Sequence, residues 1–195
     1  KNVHINNCTF NTGDDCIAIK SGRNEEGRRI NIPSENIVVE NCDMKDGHGG
    51  VVMGSEISAG VRNVYVRNCK MDSPNLDRAI RIKTNTLRGG FVENIFVKNI
   101  QVGQVKEAVL KINTYYGIYA NQEGNFIPSI KNIHLEDIEV ENGGKYGVLI
   151  KGRAENPVKN ITLTNVHIKG AETDLSVENS EPIIFKNTTI NGKQY

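Results

Sequence analysis

The chain has no tryptophan, three methionines and only 6% aromatic residues over its 195 positions. That excludes a core built on large rings, so small and branched side chains must do the packing. Leucine is scarce too, with seven residues against 23 isoleucines and 18 valines. This ratio excludes a helical bundle, because β-branched side chains lose χ1 freedom on a helix and fit a pleated strand. Neither sign of charge dominates: 24 Lys+Arg against 23 Asp+Glu leave +1 at pH 7. The basic excess of a nucleic-acid binder is missing, so no nucleic-acid partner is expected. No apolar run approaches the ~20 residues that cross a bilayer, so no membrane span is expected either. Cys8, Cys16, Cys42 and Cys69 form no Cys-x-x-Cys pair, which leaves zinc-type spacing absent. What the chain has in quantity is asparagine (25) and glycine (19), the residues that accept sharp turns. The composition is that of an all-β protein with many turns.

One phrase recurs along the chain: Asn, alternating apolar residues, then Asn or Asp before a small or apolar residue. It reads Asn2 to Cys8, Asn36 to Cys42, Asn63 to Cys69 and Asn94 to Ile100, with degenerate copies Asn132 to Ile138 and Asn160 to Val166. The copies start 27 to 38 residues apart. Each is followed by a turn and, in five cases, a second apolar strand: Cys16 to Lys20, Val51 to Met53, Ala79 to Lys83, Ala108 to Ile112 and Gly147 to Lys151. Period-two alternation in a repeat of this length describes a solenoid coil. The expectation is a right-handed parallel β-helix of about six coils, the hand following from the rule for parallel crossovers. Residues 1–195 read as a single β-helix domain. Cys8, Cys42 and Cys69 hold the same place in successive coils, which predicts an inward stack. The leading asparagines read as turn or ladder residues.

Three stretches interrupt the pattern on successive coils: Asn11-Thr12-Gly13-Asp14-Asp15, Gly47-His48-Gly49 and Arg81-Ile82-Lys83. Each alone also fits a solvated turn or face. On a solenoid, however, equivalent positions stack, and two carboxylates, an imidazole and two cations then meet on one surface. Adjacent carboxylates repel, so one holds its proton more tightly, which suits a general acid beside a general base. Successive strand residues point to opposite faces, so Asp14 and Asp15 share a cleft only at a turn or bulge, which Gly13 permits.

Gly-Asp-Asp, Gly-His-Gly and Arg-Ile-Lys, in this order on a β-helix, resemble the signature of the polygalacturonases of glycoside hydrolase family 28. The resemblance implies hydrolysis of α-1,4 linkages between galacturonates with inversion, a pectic polysaccharide or oligogalacturonide substrate, no metal or organic cofactor, and a secreted or periplasmic location. By this resemblance Asp14 is the general acid and Asp15 one of the carboxylates that activate water. His48 helps to hold the protonation state of the acid. Arg81 and Lys83 bind substrate carboxylates, with a galacturonate on the leaving-group side, and Tyr115 is a subsite tyrosine. The chemistry agrees: an inverting glycosidase needs one protonated and one ionised carboxyl group, and a polyanion needs fixed cations.

The family pattern also has an Asn-Thr-Asp one coil upstream, which these residues do not contain, since Asn11-Thr12 runs into Gly13. The chain is therefore expected to be the C-terminal part of a longer catalytic domain, truncated at its N-terminal end. The polar stretch from Ser21 to Pro33 is expected to wall the cleft, with Arg23, Arg28 or Arg29 near a terminal sugar, as in exo-acting members. Two other functions compete: a rhamnogalacturonan-type hydrolase of the same fold, and a non-catalytic carbohydrate-binding or adhesin β-helix. The latter predicts that Asp14, Asp15 and His48 do not cluster.

Overall fold

The computed structural model describes residues 1–117 and 124–195. It is a parallel β-solenoid of about six turns. One sheet is built from Val3–Asn6, Ser34–Glu40, Val61–Asp72, Phe91–Gln104, Ser129–Asn142 and Lys159–Ile168, each paired in parallel with the next. The second sheet stacks Ile17–Ile19, Val51–Gly54, Arg78–Lys83, Ala108–Asn113, Gly144–Lys151 and Ala171–Glu178 in the same sense. The last of these strands, AETDLSVE, was not apparent in the sequence because its polar residues leave little apolar alternation.

Between the sheets, rows of equivalent side chains run along the solenoid. Ile37, Val64, Ile95, Ile133 and Ile161 form one row. Val51, Ile80, Leu110 and Val148 form another on the opposite sheet. All nine are buried, and burying each such side chain stabilises the fold by about 1.5–3 kcal/mol. This packing explains the Ile/Val excess: a branched side chain on a strand packs directly against its copy in the next coil.

The asparagines make the corners. Asn2, Asn36, Asn63, Asn94, Asn132 and Asn160 all lie at φ between 51° and 61°, a region that few residues other than glycine, asparagine and aspartate visit readily. From Asn36 onward each side-chain amide donates to Oδ1 of the asparagine one coil earlier, at 2.8–3.2 Å. One residue type thus supplies both the backbone bend and the inter-coil link. Cys8, Cys42 and Cys69 do align, since Asp43 N–H donates to Cys8 O and Lys70 N–H to Cys42 O. Cys42 and Cys69 are buried as expected, but Cys8 is exposed.

The polar stretch from Ser21 to Pro33 contains a short α-helix, Asn24–Ile30, which sequence reading did not anticipate. Glu25 and Glu26 in its first turn and Arg28 and Arg29 in its last suit the helix dipole, and Asn31 at φ 51° ends it in a left-handed cap. Seven residues do not hold a helix in water unaided. Tertiary contacts hold this one. Arg28 donates to the carbonyls of Leu87 (2.9 Å) and Arg88 (3.2 Å) and lies 3.5 Å over the Phe126 ring.

Candidate active site

The chain bends at Gly13 and Asp14 before entering Ile17–Ile19, and the two carboxylates part there. The Asp14 side chain is 81% exposed and that of Asp15 only 6%. Asp14 Oδ1 accepts from the Asp15 backbone N–H at 2.8 Å and lies 3.0 Å from His48 Nδ1. His48 is brought in by Gly47, where a Cβ would lie 2.7 Å from the Asp14 carbonyl oxygen. A side chain there would push the second coil off the first, whereas glycine lets the His48 N–H reach that carbonyl at 3.0 Å. Arg78 fixes the other side of the histidine, donating to its carbonyl at 3.0 Å.

Along Arg78–Lys83, Ile80 and Ile82 enter the core and Arg81 and Lys83 stand on the outer face, as alternation requires. That face is not solvated. Arg81 and Lys83 are only 9% and 7% exposed, because surrounding loops rise around them. Lys83 Nζ donates to Asp15 Oδ2 at 2.7 Å, and Arg81 Nη1 lies 3.6 Å from Asp15 Oδ1. This Oδ1 has no hydrogen-bond partner although it is buried.

These groups line one cleft of about 910 Å³, together with Lys20, Arg23, Asn24, Ser55, Glu56, Asp77, Arg78, Leu87, Arg88, Tyr116 and Gly117. Six of the lining residues are Lys or Arg against four Asp or Glu, so the cleft is cationic in a chain that is nearly neutral. In the next coil Lys111 sits in register beside Arg81 and is paired with Glu107. Burial, with Arg78, Arg81 and Lys151 nearby, pushes its ammonium down to about 8. A cleft of this sign attracts anions. Asp14 is held below the ordinary carboxylate range, chiefly by the Asp15 N–H and then by His48, against a partial desolvation that raises it. Burial lowers Lys83, and the bond to Asp15 opposes that.

The structure therefore brings together Asp14, Asp15, His48, Arg81 and Lys83, and the clustering that a non-catalytic β-helix would lack is present. Tyr115 is not among the residues lining the cleft. It is 48% exposed, with the Arg153 guanidinium 4.0 Å over its ring. Among the described residues the tyrosine that lines the cleft is Tyr116, whose ring lies 5.5 Å from Arg81 and 5.3 Å from Lys83. The resemblance had pointed to Tyr115, but adjacent residues in a turn point in different directions. In the helical segment, Arg23 lines the cleft, whereas Arg28 is spent on the Leu87–Arg88 backbone and Arg29 on Glu26. Arg78 and Arg88 were missed in the sequence. Arg78 was legible as the residue that begins the Arg-Ile-Lys strand, but nothing in the pattern marked Arg88.

Against this geometry stand the comparisons with known proteins. The Glycosyl hydrolases family 28 model matches residues 1–189. A probable polygalacturonase of Vitis vinifera is 30% identical over 170 residues, 86% of this chain and 34% of that protein. The structure of a hyperthermoactive exopolygalacturonase from Thermotoga maritima superposes with a TM-score of 0.90 at 40% identity, covering 98% of this chain and 42% of that one. A family 28 exopolygalacturonase from Yersinia enterocolitica shares the fold, with a TM-score of 0.77 at 21% identity over 100% of this chain and 37% of that one. The chain thus spans about a third of the length of the curated relative and two-fifths of the solved structures. The motifs, the solenoid that stacks them and the match over nearly every residue agree: the chain belongs to glycosyl hydrolases family 28.

Proposed function

We propose that this cleft hydrolyses the α-1,4 linkages of polygalacturonate with inversion, acting from chain ends outside the cytoplasm. The observation that carries the reading is the pair of neighbouring carboxylates in unlike settings, Asp14 open beside an imidazole and Asp15 buried against two cations. An inverting glycosidase needs that asymmetry: one group gives a proton to the leaving oxygen while the other takes one from water. Asp14 is the donor. Its protein environment favours the carboxylate, and substrate supplies the opposite push. A sugar covering this exposed group removes water from it, and uronate charges repel its ionised form. Protonated Asp14 then delivers its proton to the glycosidic oxygen as the bond to the anomeric carbon breaks. Water adds to that carbon from the opposite side and gives a proton to Asp15, whose unpartnered Oδ1 has a lone pair free to accept it. His48 is a positioning residue that holds Asp14 through the 3.0 Å contact of its Nδ1 with Oδ1.

Arg81 and Lys83 fix a substrate carboxylate on the leaving-group side, and Tyr116 packs behind them. End-wise action is supported by the helix Asn24–Ile30, clamped over the cleft wall by Arg28, and by the likeness to the Thermotoga maritima exopolygalacturonase at 40% identity. The test is to incubate the intact protein with polygalacturonate and follow viscosity and product size together. Small sugars of one size with slowly falling viscosity are expected. A rapid viscosity drop with mixed oligomers would reject end-wise action, and no release of reducing sugar would reject the hydrolase.

A further inference from the structure

The cleft wall carries a charge that the mechanism above does not use. Arg88, in the loop after Arg78–Lys83, is 4% exposed yet lines the cleft. Its Nη1 donates to Asn24 Oδ1, a neutral partner, and its Nε has none. Among the described residues no carboxylate lies within ion-pair distance of it. Two other arginines that line this cleft differ. Arg78 is paired with Asp77 and Glu107, and Arg81 lies against Asp15. Glu56, the carboxylate on the same wall, is engaged by Lys20 at 3.2 Å and by Arg23 at 3.8 Å.

Removing a guanidinium from water without an anion beside it is unfavourable, and its planar fork fits two carboxylate oxygens. The backbone that carries it is held from both sides. Asn85 Oδ1 accepts the N–H groups of Leu87 (3.0 Å) and Arg88 (2.9 Å), while Arg28 holds their carbonyls. The donor is therefore pre-positioned, which reduces the ordering cost of binding.

We propose that Arg88 is a second carboxylate site, which receives the uronate on the non-reducing side of the scissile bond while Arg81 and Lys83 hold the one on the leaving-group side. The inference rests on the galacturonan reading above. Cutting requires a sugar on each side of Asp14 and Asp15, every sugar of this polymer bears a carboxylate, and among the described residues Arg88 is the cleft arginine left without a carboxylate partner. It makes Arg88 a specificity determinant, selecting an acidic sugar over a neutral or esterified one at that position.

The test uses the intact protein and two trisaccharides, trigalacturonate and the same compound methyl-esterified at the carboxylate of the sugar on the non-reducing side of the bond that is cut. The unaltered protein should prefer the free acid by about tenfold or more in kcat/KM, the scale of one charge-assisted hydrogen bond. R88Q should lose that factor on the free acid and little further on the ester, and R88K should recover part of it. Equal losses on both substrates would show that Arg88 only braces the loop, and no preference in the unaltered protein would overturn the site. If the unaltered protein cleaves neither compound, the hydrolase reading fails separately. Calorimetric titration then decides the site alone: galacturonate should bind more tightly than galactose, R88Q should remove part of that difference, and R88Q combined with R81Q and K83Q should remove the rest, whereas an R88Q difference equal to that of the unaltered protein would overturn the site. Equal binding of the two sugars would reject it.

Discussion

Replacing Asp14 and Asp15 by asparagine, one at a time, should separate chemistry from stability. Both variants remove a carboxylate and keep the shape. The Asp14 side chain is 81% exposed, and asparagine preserves the acceptor for the Asp15 N–H. An exposed pair such as Asp14–His48 is worth about 1 kcal/mol at most, so D14N should unfold within about 1 kcal/mol of the unaltered protein. Its activity should fall by about 10²–10⁴-fold, the contribution of a positioned general acid. Asp15 differs because its partner Lys83 is only 7% exposed. D15N leaves that ammonium buried opposite a neutral amide, and breaking a buried pair from one side costs about 3–5 kcal/mol. Denaturant unfolding and reducing-sugar release from polygalacturonate, measured on both variants of the intact protein, form the assay.

The pH dependence has a definite sign. Asp14 is depressed below its ordinary value of 3.8 in the folded protein, first by the Asp15 N–H. Its small stabilisation is therefore present above that value and lost as pH falls through the folded pKa. The stability difference between D14N and the unaltered protein should vanish in strong acid. The reasoning is refuted if D14N keeps a tenth or more of the activity, or if D15N is as stable as D14N.

Other substitutions probe the frame and the cleft rim. Asn94 sits at φ 58°, donates to Asn63 and accepts from Asn132. N94A should cost about 2–4 kcal/mol in chemical denaturation, combining left-handed strain with two lost hydrogen bonds. N94G should recover the strain portion. Y116A should raise KM on oligogalacturonates at least several-fold, whereas Y115A should leave KM unchanged, since only Tyr116 lines the cleft; the reverse result would restore Tyr115 as the subsite residue.

The frame was legible because it is periodic. Each Asn-headed phrase carries its own turn residue and its own alternation, so the coil could be read locally and stacked by repetition. The site was legible where its residues belong to that periodicity: Ile80 and Ile82 in the core leave Arg81 and Lys83 together on the outer face. What escaped was set by loops. The helix Asn24–Ile30 has a polar sequence and exists through Arg28 and its contacts 59 and 60 residues away. Arg88 gains its meaning from Asn24, 64 residues earlier, a contact that no repeat encodes. The choice of Tyr116 over Tyr115 depends on how one turn is oriented. The unequal exposure of Asp14 and Asp15 was likewise outside the pattern, because it arises from which carboxylate Lys83 reaches.

The central claim is that Asp14 and Asp15 act as an acid and base pair across a galacturonosyl linkage. Proton NMR of the first sugar released from polygalacturonate by the intact protein tests it most directly. Inversion at the α-linkage predicts that the β-anomer appears first and then equilibrates. An α-anomer formed first would mean that one of the two carboxylates attacks carbon directly, and an unsaturated product would mean elimination; either would contradict the account.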